Sequence, residues 1–368
     1  MIWLLFFCTA FLARAEPAAA KPLVAVLAQN SGTEMTDFMV PYGVIASSGA
    51  ADVIAVSTGA GPIDFMTGVE ARGDMTIAEF DVAHSRGADF VIIPAFHDSE
   101  NAATRDWLRK QASKGATLVS ICDGVLVMAG TGLLDGHKAT GHFHSLDERR
   151  RDFPKVEWKT NTRFVQDGKF ISSAGVSASL PTALYIVELI AGRERAMEVA
   201  RAQGVSGYSA AHDSDAFRLT TGDYWLAAKS LLFAWPRDVY ALRTGAGVDE
   251  VGFAFAADML SRTFRAKVAV VADEAEVRTR YGLRLLRRMA PEEVPSRAVT
   301  VRIGGATQMS DLAVGEGARA ADDMADYLTR RYGAEMAAFV TTQLEYPAKI
   351  HRPAAKSALP ALASNPPL

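Results

Sequence analysis

The chain has 368 residues, 49% of them hydrophobic and 22% charged. That length and balance describe an ordinary globular chain of about two domains. Lys and Arg number 39 against 42 Asp and Glu, a net charge of −3, which excludes the basic excess of a binder of nucleic acid or anionic membranes.

Residues 2–13 (IWLLFFCTAFLA) form an apolar run shorter than the roughly 20 residues a membrane-spanning helix needs. Ala13-Arg14-Ala15 follows, with small residues at the cleavage positions, so residues 1–15 read as a secretory signal peptide cut after Ala15. The alternative is an uncleaved membrane anchor, since no Lys or Arg precedes the run. Cys8 follows the bulky Phe7, which argues against lipoprotein processing. The expected location is periplasmic or secreted, with no stable membrane insertion after cleavage. Cys8 and Cys122 are the only cysteines. Signal removal leaves Cys122 alone, with no intramolecular disulfide, either buried and inert or kept for its reactivity.

A short Ala/Pro linker at 16–21 leads into a buried-strand pattern at 23–28. A helix is predicted at 37–48, a strand at 52–57, a strand at 89–94, a helix at 102–113 and a strand at 117–121. This alternation predicts an α/β fold with a mainly parallel sheet and helices on both faces. Further strands are predicted at 138–142, 163–166 and 169–172, then a helix at 179–190, and the first domain spans 22–204.

The second half carries an internal echo of the first. Residues 247–271 (GVDEVGFAFAADMLSRTFRAKVAVV) align without a gap on 32–56 (GTEMTDFMVPYGVIASSGAADVIAV) at a shift of 215. Gly32 then falls on Gly247, Phe38 on Phe253 and Val53 on Val268. Tyr185 matches Tyr327 at a shift of 142, so the second copy is about 73 residues shorter and lacks the cysteine segment. Residues 216–350 thus read as a degenerate, truncated second α/β copy, and 353–368, rich in Ala and Pro, as a disordered tail.

Cys122 sits where the strand TLVSI meets a helical segment, with small Ser120 and Gly124 two places to either side. A tight strand-to-helix turn requires small residues there, as in the nucleophile elbow of hydrolases. Such a turn sets the sulfur near a helix N-terminus, which favours thiolate, and leaves the Asp123 N–H as an oxyanion donor. Asp123 itself either points into the pocket or, by its type and position, caps the helix. His142 and His144 are two apart on a predicted strand and would share a face, but no third metal ligand lies nearby, so neither metal nor cofactor is expected. His212, Asp213 and Asp215 (AHDSD) read as a loop or helix start, and 318–331 as a solvated helix.

Residues 120–143, SICDGVLVMAGTGLLDGHKATGHF, resemble the ThiJ/PfpI family of the class I glutamine-amidotransferase-like superfamily. The shared pattern is Cys122, a small residue at Gly124, the A-x-x-G-L-L-x-G turn at 129–136 and A-T-x-H at 139–142. Residues 169–192 resemble the family's last strand and helix. The resemblance covers about 23–203 and implies a flavodoxin-like three-layer sandwich with a Cys nucleophile elbow. It also implies an acid from the first helix near the sulfur, four residues before a proline; Asp37 precedes Pro41 at that spacing. The residue type and place of Asp37 equally suit a helix N-cap. His142, 20 residues after Cys122, matches the family histidine and is either a general acid/base or a packed structural ring. The family's Pro-Gly-Gly turn is here Pro94-Ala95-Phe96-His97. Ala95 can still offer an N–H, Phe96 would narrow the pocket and His97 would add a polar group beside the sulfur.

The expected function is an exported protein whose Cys122 attacks a small electrophile, with hydrolase, hydratase or glyoxalase-like chemistry. The alternative is a non-catalytic ligand or redox sensor using the same pocket. Expected partners are a small-molecule ligand or substrate and no nucleic acid, with the two copies forming a pseudo-dimer within the chain or the chain forming a homodimer.

Overall fold

The computed structural model describes residues 20–234, 236–304 and 312–348. The expected signal segment 1–15 and tail 353–368 lie outside them. No described helix is long and apolar enough to cross a membrane.

Strand Leu23–Ala28 (LVAVLA) has no polar side chain, and five of its six residues are buried. That pattern suits a central strand of a parallel sheet, covered on both faces. It pairs in parallel with Asp52–Ser57 on one side and Phe90–Ile93 on the other. Outward from Phe90–Ile93 come Thr117–Ser120 and Phe170–Ser173, both parallel, and the antiparallel edge strand Phe164–Asp167. Met75–Thr76 closes the opposite edge, making seven strands. Two apolar clusters lie on the sheet. One contains Phe80, Trp107, Leu108 and Val127. The other contains Phe38, Met39, Leu184 and Cys122 and runs on into Phe253, Met259 and Leu328.

Strand 138–142 of the sequence reading is shorter here. Only Lys138–Ala139 is extended, paired with Glu157–Trp158 rather than with the main sheet. A 3-10 turn, Phe143–Ser145, follows His142, so His142 and His144 do not share a strand face. The first helix is Met35–Ser47 and starts two residues earlier than expected, because Glu34 rather than Asp37 is its N-cap. The last helix continues past 190 to Ala202 but breaks at Gly192, whose φ of 84° only glycine adopts freely.

The second half forms its own parallel sheet, in the order Ala266–Val271, Asp238–Arg243, Val299–Ile303, Leu312–Val314. Helix Glu250–Ser261 leaves this sheet and packs on helix Met35–Ser47. A Cβ at Gly43 would lie 2.8 Å from the Glu250 Cβ, so glycine sets the closeness of this contact. Burial on both sides explains why Met35 to Ile45 are all buried and why this helix has no polar stripe. Each large apolar side chain enclosed there, such as Phe38 or Phe253, contributes about 2 kcal/mol. A hairpin from each half completes the junction, with Glu70–Arg72 paired antiparallel to Arg284–Leu286 and Ala71 opposite Leu285.

The elbow lies at the end of Thr117–Ser120. Cys122 adopts φ 55°, the left-handed region, at a cost of about 1–2 kcal/mol for a side chain with a Cβ. Helix Gly124–Ala129 then starts directly beneath the neighbouring strand. A Cβ on Gly124 would lie 2.0 Å from the Ile93 carbonyl oxygen and 2.8 Å from that of Pro94. Both obstacles are backbone and cannot move aside. Gly124→Ala is therefore expected to lower stability by about 3 kcal/mol, read from the urea midpoint, whereas a change within about 0.5 kcal/mol would show that the elbow does not depend on this approach.

Candidate functional site

Cys122 is 6% exposed, and its N–H donates to the Ala174 carbonyl. Burial pushes its thiol well above the ordinary value. The carboxylates of Asp37, Asp123 and Glu34 push it further, while Arg262 pulls it down. Burial and these acids thus act against the thiolate that the helix N-terminus favours. The helix after the elbow is a six-residue element, and its dipole is opposed by three acids and by desolvation.

Asp37 is fully buried in the first turn of helix Met35–Ser47. Its Oδ2 accepts the Ala95 N–H at 3.1 Å, and its own N–H donates to Glu34 Oε2 at 2.5 Å. Its Oδ1 is buried with no hydrogen-bond partner. Burial raises its pKa to about 7, although the Ala95 and Glu34 hydrogen bonds and Arg262 oppose the rise. The capping role belongs to Glu34, which leaves the Asp37 carboxyl for other work. The Ala95 N–H, expected as an oxyanion donor, is occupied by Asp37. The Asp123 N–H has no acceptor among the described residues.

The acids are held by a residue from the other half of the chain. Arg262 lies at the C-terminal end of helix Glu250–Ser261, reaching Asp258 Oδ1 with its Nε at 2.9 Å and Glu34 Oε1 with its Nη2 at 2.9 Å. The Thr36 hydroxyl donates to Asp258 Oδ2 at 3.1 Å. Burial and the neighbouring Asp258 and Asp37 raise Glu34 well above the carboxylate range, with Arg262 pulling back. Burial disfavours the guanidinium charge, but Asp258 and Glu34 more than compensate and hold Arg262 cationic.

On the far side of the sulfur, Asp123 stands at the N-cap position but makes no capping hydrogen bond. Its Oδ1 accepts the Ser145 hydroxyl at 2.6 Å. Buried Arg149 donates to Ser145 Oγ and to the His142 carbonyl at 2.9 Å. The His142 ring is engaged at both nitrogens. Nε2 faces the Gln343 carbonyl at 3.0 Å, and Nδ1 accepts the His144 N–H at 3.3 Å. A carbonyl only accepts and an N–H only donates, so these partners assign the proton to Nε2. Of the two roles left open for His142, this arrangement is that of a packed, hydrogen-bonded ring. Glu345, fully buried at φ 51°, accepts the Phe143 N–H at 2.8 Å and pairs with His212 at 2.6 Å. Burial pulls Glu345 upward, but His212, His142 and the Phe143 N–H outweigh it and leave the acid below its usual range.

Two further expectations are corrected. Phe96 does not narrow the pocket; it belongs to the apolar cluster with Leu27 and Ile93, whereas Cys122 belongs to the other cluster. His97 is exposed and lies over Gly32, with its Nδ1 3.3 Å from the Ser31 carbonyl. The sulfur, an Asp123 oxygen and a His142 nitrogen lie within 4.8 Å of one another, close enough to reach one ion. Asp123 Oδ1 and both ring nitrogens are already hydrogen-bonded, so a metal would have to displace those partners. Glu34, Arg262, Arg149, Ser145, His212 and Glu345 did not emerge from the sequence reading as site residues. The Glu34-Thr36-Asp37 spacing was the one local signal for any of them.

The family model described as the DJ-1/PfpI family matches residues 23–189. Isonitrile hydratase of Pseudomonas putida is 27% identical over 172 residues, covering 45% of this chain and 71% of that protein. Protein dj-1beta of Drosophila melanogaster is 28% identical over 175 residues, covering 46% of this chain and 90% of that protein. The HTH-type transcriptional regulator CdhR of Pseudomonas aeruginosa is 30% identical over 147 residues, covering 39% and 42%. The crystal structure of Drosophila melanogaster DJ-1beta aligns with TM-score 0.45 and 23% identity over 50% of this chain and 98% of that one.

Two outcomes follow from the charge arrangement. The folded pKa of Asp37, about 7, lies above its ordinary value of 3.8, so the folded state binds the extra proton between those limits. Asp37 thus costs stability progressively as pH rises through that window. Asp37→Asn is expected to raise stability by up to about 3 kcal/mol above pH 7 and to be nearly neutral near pH 4, measured by urea unfolding at each pH. Arg262→Met leaves two buried acids without their cation. It is expected to cost about 3–5 kcal/mol at pH 8 and less at pH 5, where Glu34, raised well above the carboxylate range, takes up a proton; equal losses at the two pH values would contradict this.

Proposed function

Residues 23–189 are a DJ-1/PfpI family domain, and from that premise we propose a cysteine-dependent enzyme that adds water across a small electrophilic carbon bound at Cys122. The observation that carries the reading is a strained, nearly closed thiol electrostatically coupled to an acid, Asp37, whose pKa is raised to about 7 and whose Oδ1 is unpartnered. A proton leaving sulfur has an acceptor there that is half-ionised at neutral pH. As the C–S bond forms, the S–H proton passes to Asp37, and the charge developing on the substrate's nitrogen or oxygen meets the free Asp123 N–H. Asp37 then returns the proton to the adduct. Water attacks the same carbon, the C–S bond breaks, and one of the water protons restores the thiol. Isonitriles head the substrate list because a relative bears that activity in its name. Behind them stand amides, whose adduct would expel the amine as its nitrogen takes the Asp37 proton before water cleaves the thioester. So do 2-oxoaldehydes, where Asp37 would move a proton between the two carbons of the thiohemiacetal before water releases a 2-hydroxy acid.

The redox-sensor alternative has less support. Peroxide oxidises thiolate, and here burial and three acids hold the thiol protonated. We read 216–350 as a truncated copy of the first fold, standing where a partner subunit would dock. Support comes from the second sheet, whose order of parallel strands repeats that of Asp52–Ser57, Leu23–Ala28, Phe90–Ile93 and Thr117–Ser120, with helix Glu250–Ser261 linking Asp238–Arg243 to Ala266–Val271 as helix Met35–Ser47 links Leu23–Ala28 to Asp52–Ser57, and from the reciprocal helix and hairpin contacts. The apolar run at 2–13 and Ala13-Arg14-Ala15 support a periplasmic or secreted location.

The test is steady-state turnover of cyclohexyl isocyanide, methylglyoxal and a small aliphatic amide. The wild type is expected to turn over at least one, with kcat/KM rising as pH passes about 7 because Asp37 must be ionised to take the proton. Cys122→Ser is expected to abolish turnover, and Asp37→Asn to lower it by roughly 100-fold and remove the rise. No turnover on the whole panel, or undiminished turnover in Cys122→Ser, would overturn the proposal.

A further inference from the structure

A second cavity lies across the Ala174–Ser177 turn from Cys122. It measures about 440 Å3 and opens between the two halves of the chain. Apolar side chains from both halves form one wall: Leu180 and Leu184 from helix Ser179–Ala202, Val205 just after it, and Phe255 from helix Glu250–Ser261. Two guanidinium groups also line it, half-buried Arg163 and, at the mouth, exposed Arg319.

Neither of these arginines has a side-chain hydrogen bond or ion pair among the described residues. Asp322, which also lines the mouth, takes the Tyr346 hydroxyl at 2.6 Å instead. Glu345 is the acid whose field reaches Arg163, but its oxygens already serve Phe143 and His212. A half-buried cation with no counter-ion is costly, because desolvation goes uncompensated. The other guanidinium at this junction, Arg262, is by contrast matched by Glu34 and Asp258. Arg163 and Arg319 instead face a cavity of ligand size that also carries an apolar wall.

We propose that this cleft binds a small organic carboxylate with an aliphatic or aromatic tail. The guanidinium fork of Arg163 takes the two carboxylate oxygens, and Arg319 adds charge at the entrance. Leu180, Leu184, Val205 and Phe255 enclose the tail. Inorganic phosphate would satisfy the guanidinium but leave the apolar wall unused, and a primary alcohol would do the reverse. The site is separate from Cys122 and does not rest on the hydratase reading.

The experiment is titration calorimetry of the full chain at pH 7 with hexanoate, hexanol, hexylammonium and inorganic phosphate. Hexanoate is expected to give a saturable isotherm, with the other three at least ten-fold weaker. Arg163→Met keeps the apolar stem and is expected to weaken hexanoate at least ten-fold; Arg319→Met is expected to weaken it two- to five-fold. Cys122→Ser is expected to bind hexanoate as the wild type does. The proposal is overturned if hexanoate shows no saturable heat up to about 10 mM, well above the millimolar affinity of a single modest contact set. It is also overturned if hexanol matches hexanoate, if a folded Arg163→Met binds unchanged, or if Cys122→Ser abolishes binding and so moves the ligand to the other pocket. Should Arg163→Met not fold, the hexanoate-to-hexanol ratio in the wild type and the Arg319→Met loss decide the matter.

Discussion

One guanidinium among three buried acids holds the two halves of this chain in register. Arg262 reaches Glu34 across the helix pair and Asp258 on its own helix, and Asp37 adds a third acid to the same field. Without that cation, the first turn of helix Met35–Ser47 could not bury a capping glutamate and an aspartate together. The apolar packing of the two helices supplies most of the contact area. It would tolerate a small slide, whereas the Arg262–Glu34 ion pair and the Thr36–Asp258 hydrogen bond, which both cross the pair, do not. The interface is therefore fixed most tightly at the end nearest Cys122.

That placement sets the chemistry of the sulfur. Three acids face Cys122, and Arg262 and Arg149 offset them only in part, so thiol and carboxyl groups compete for protons. Asp37 and Cys122 behave as a coupled pair in which one negative charge is accommodated more easily than two. A thiol held protonated in a closed site resists adventitious oxidation and alkylation. In the proposed reaction it is activated only when an electrophile arrives and the proton can pass to Asp37. The second half thus acts on the site at two points. It supplies Arg262 behind the acids, and it supplies Glu345 against the Phe143 turn that carries His142.

Much of this was legible in the sequence. The apolar runs at 23–28 and 52–57 are strands with those bounds, and the helix at 102–113 is as expected, because buried parallel strands and a capped helix advertise themselves locally. Ser120, Cys122 and Gly124 announced the elbow, and the Gly124 contact with the Ile93 carbonyl supplies the steric reason. The electrostatics were not legible. Arg262 lies 228 positions from Glu34, and the Glu345 contacts, its carbonyl accepting the Ser177 hydroxyl and its carboxylate the Phe143 N–H, span more than 160 positions. A reading of the elbow alone sees the helix dipole and predicts thiolate; it does not see the carboxylates that the fold brings up. His142 and His144 were misplaced for a related reason. The A-T-x-H pattern looks extended, but the chain turns at Phe143 because the Phe143 N–H finds Glu345. His212, read as part of a loop, is a loop residue whose ring pairs with that same buried acid.

The central claim is that Cys122 rests as a thiol beside Asp37. The most direct measurement is the rate of iodoacetamide alkylation of Cys122 across pH, by intact mass, in the wild type and in Asp37→Asn. The account predicts a wild-type midpoint above the ordinary thiol value of about 8.5 and a clearly lower one in the variant, since the strongest opposing charge is gone. A wild-type midpoint near or below about 7, as for an activated thiolate, or one unmoved by Asp37→Asn, would contradict it.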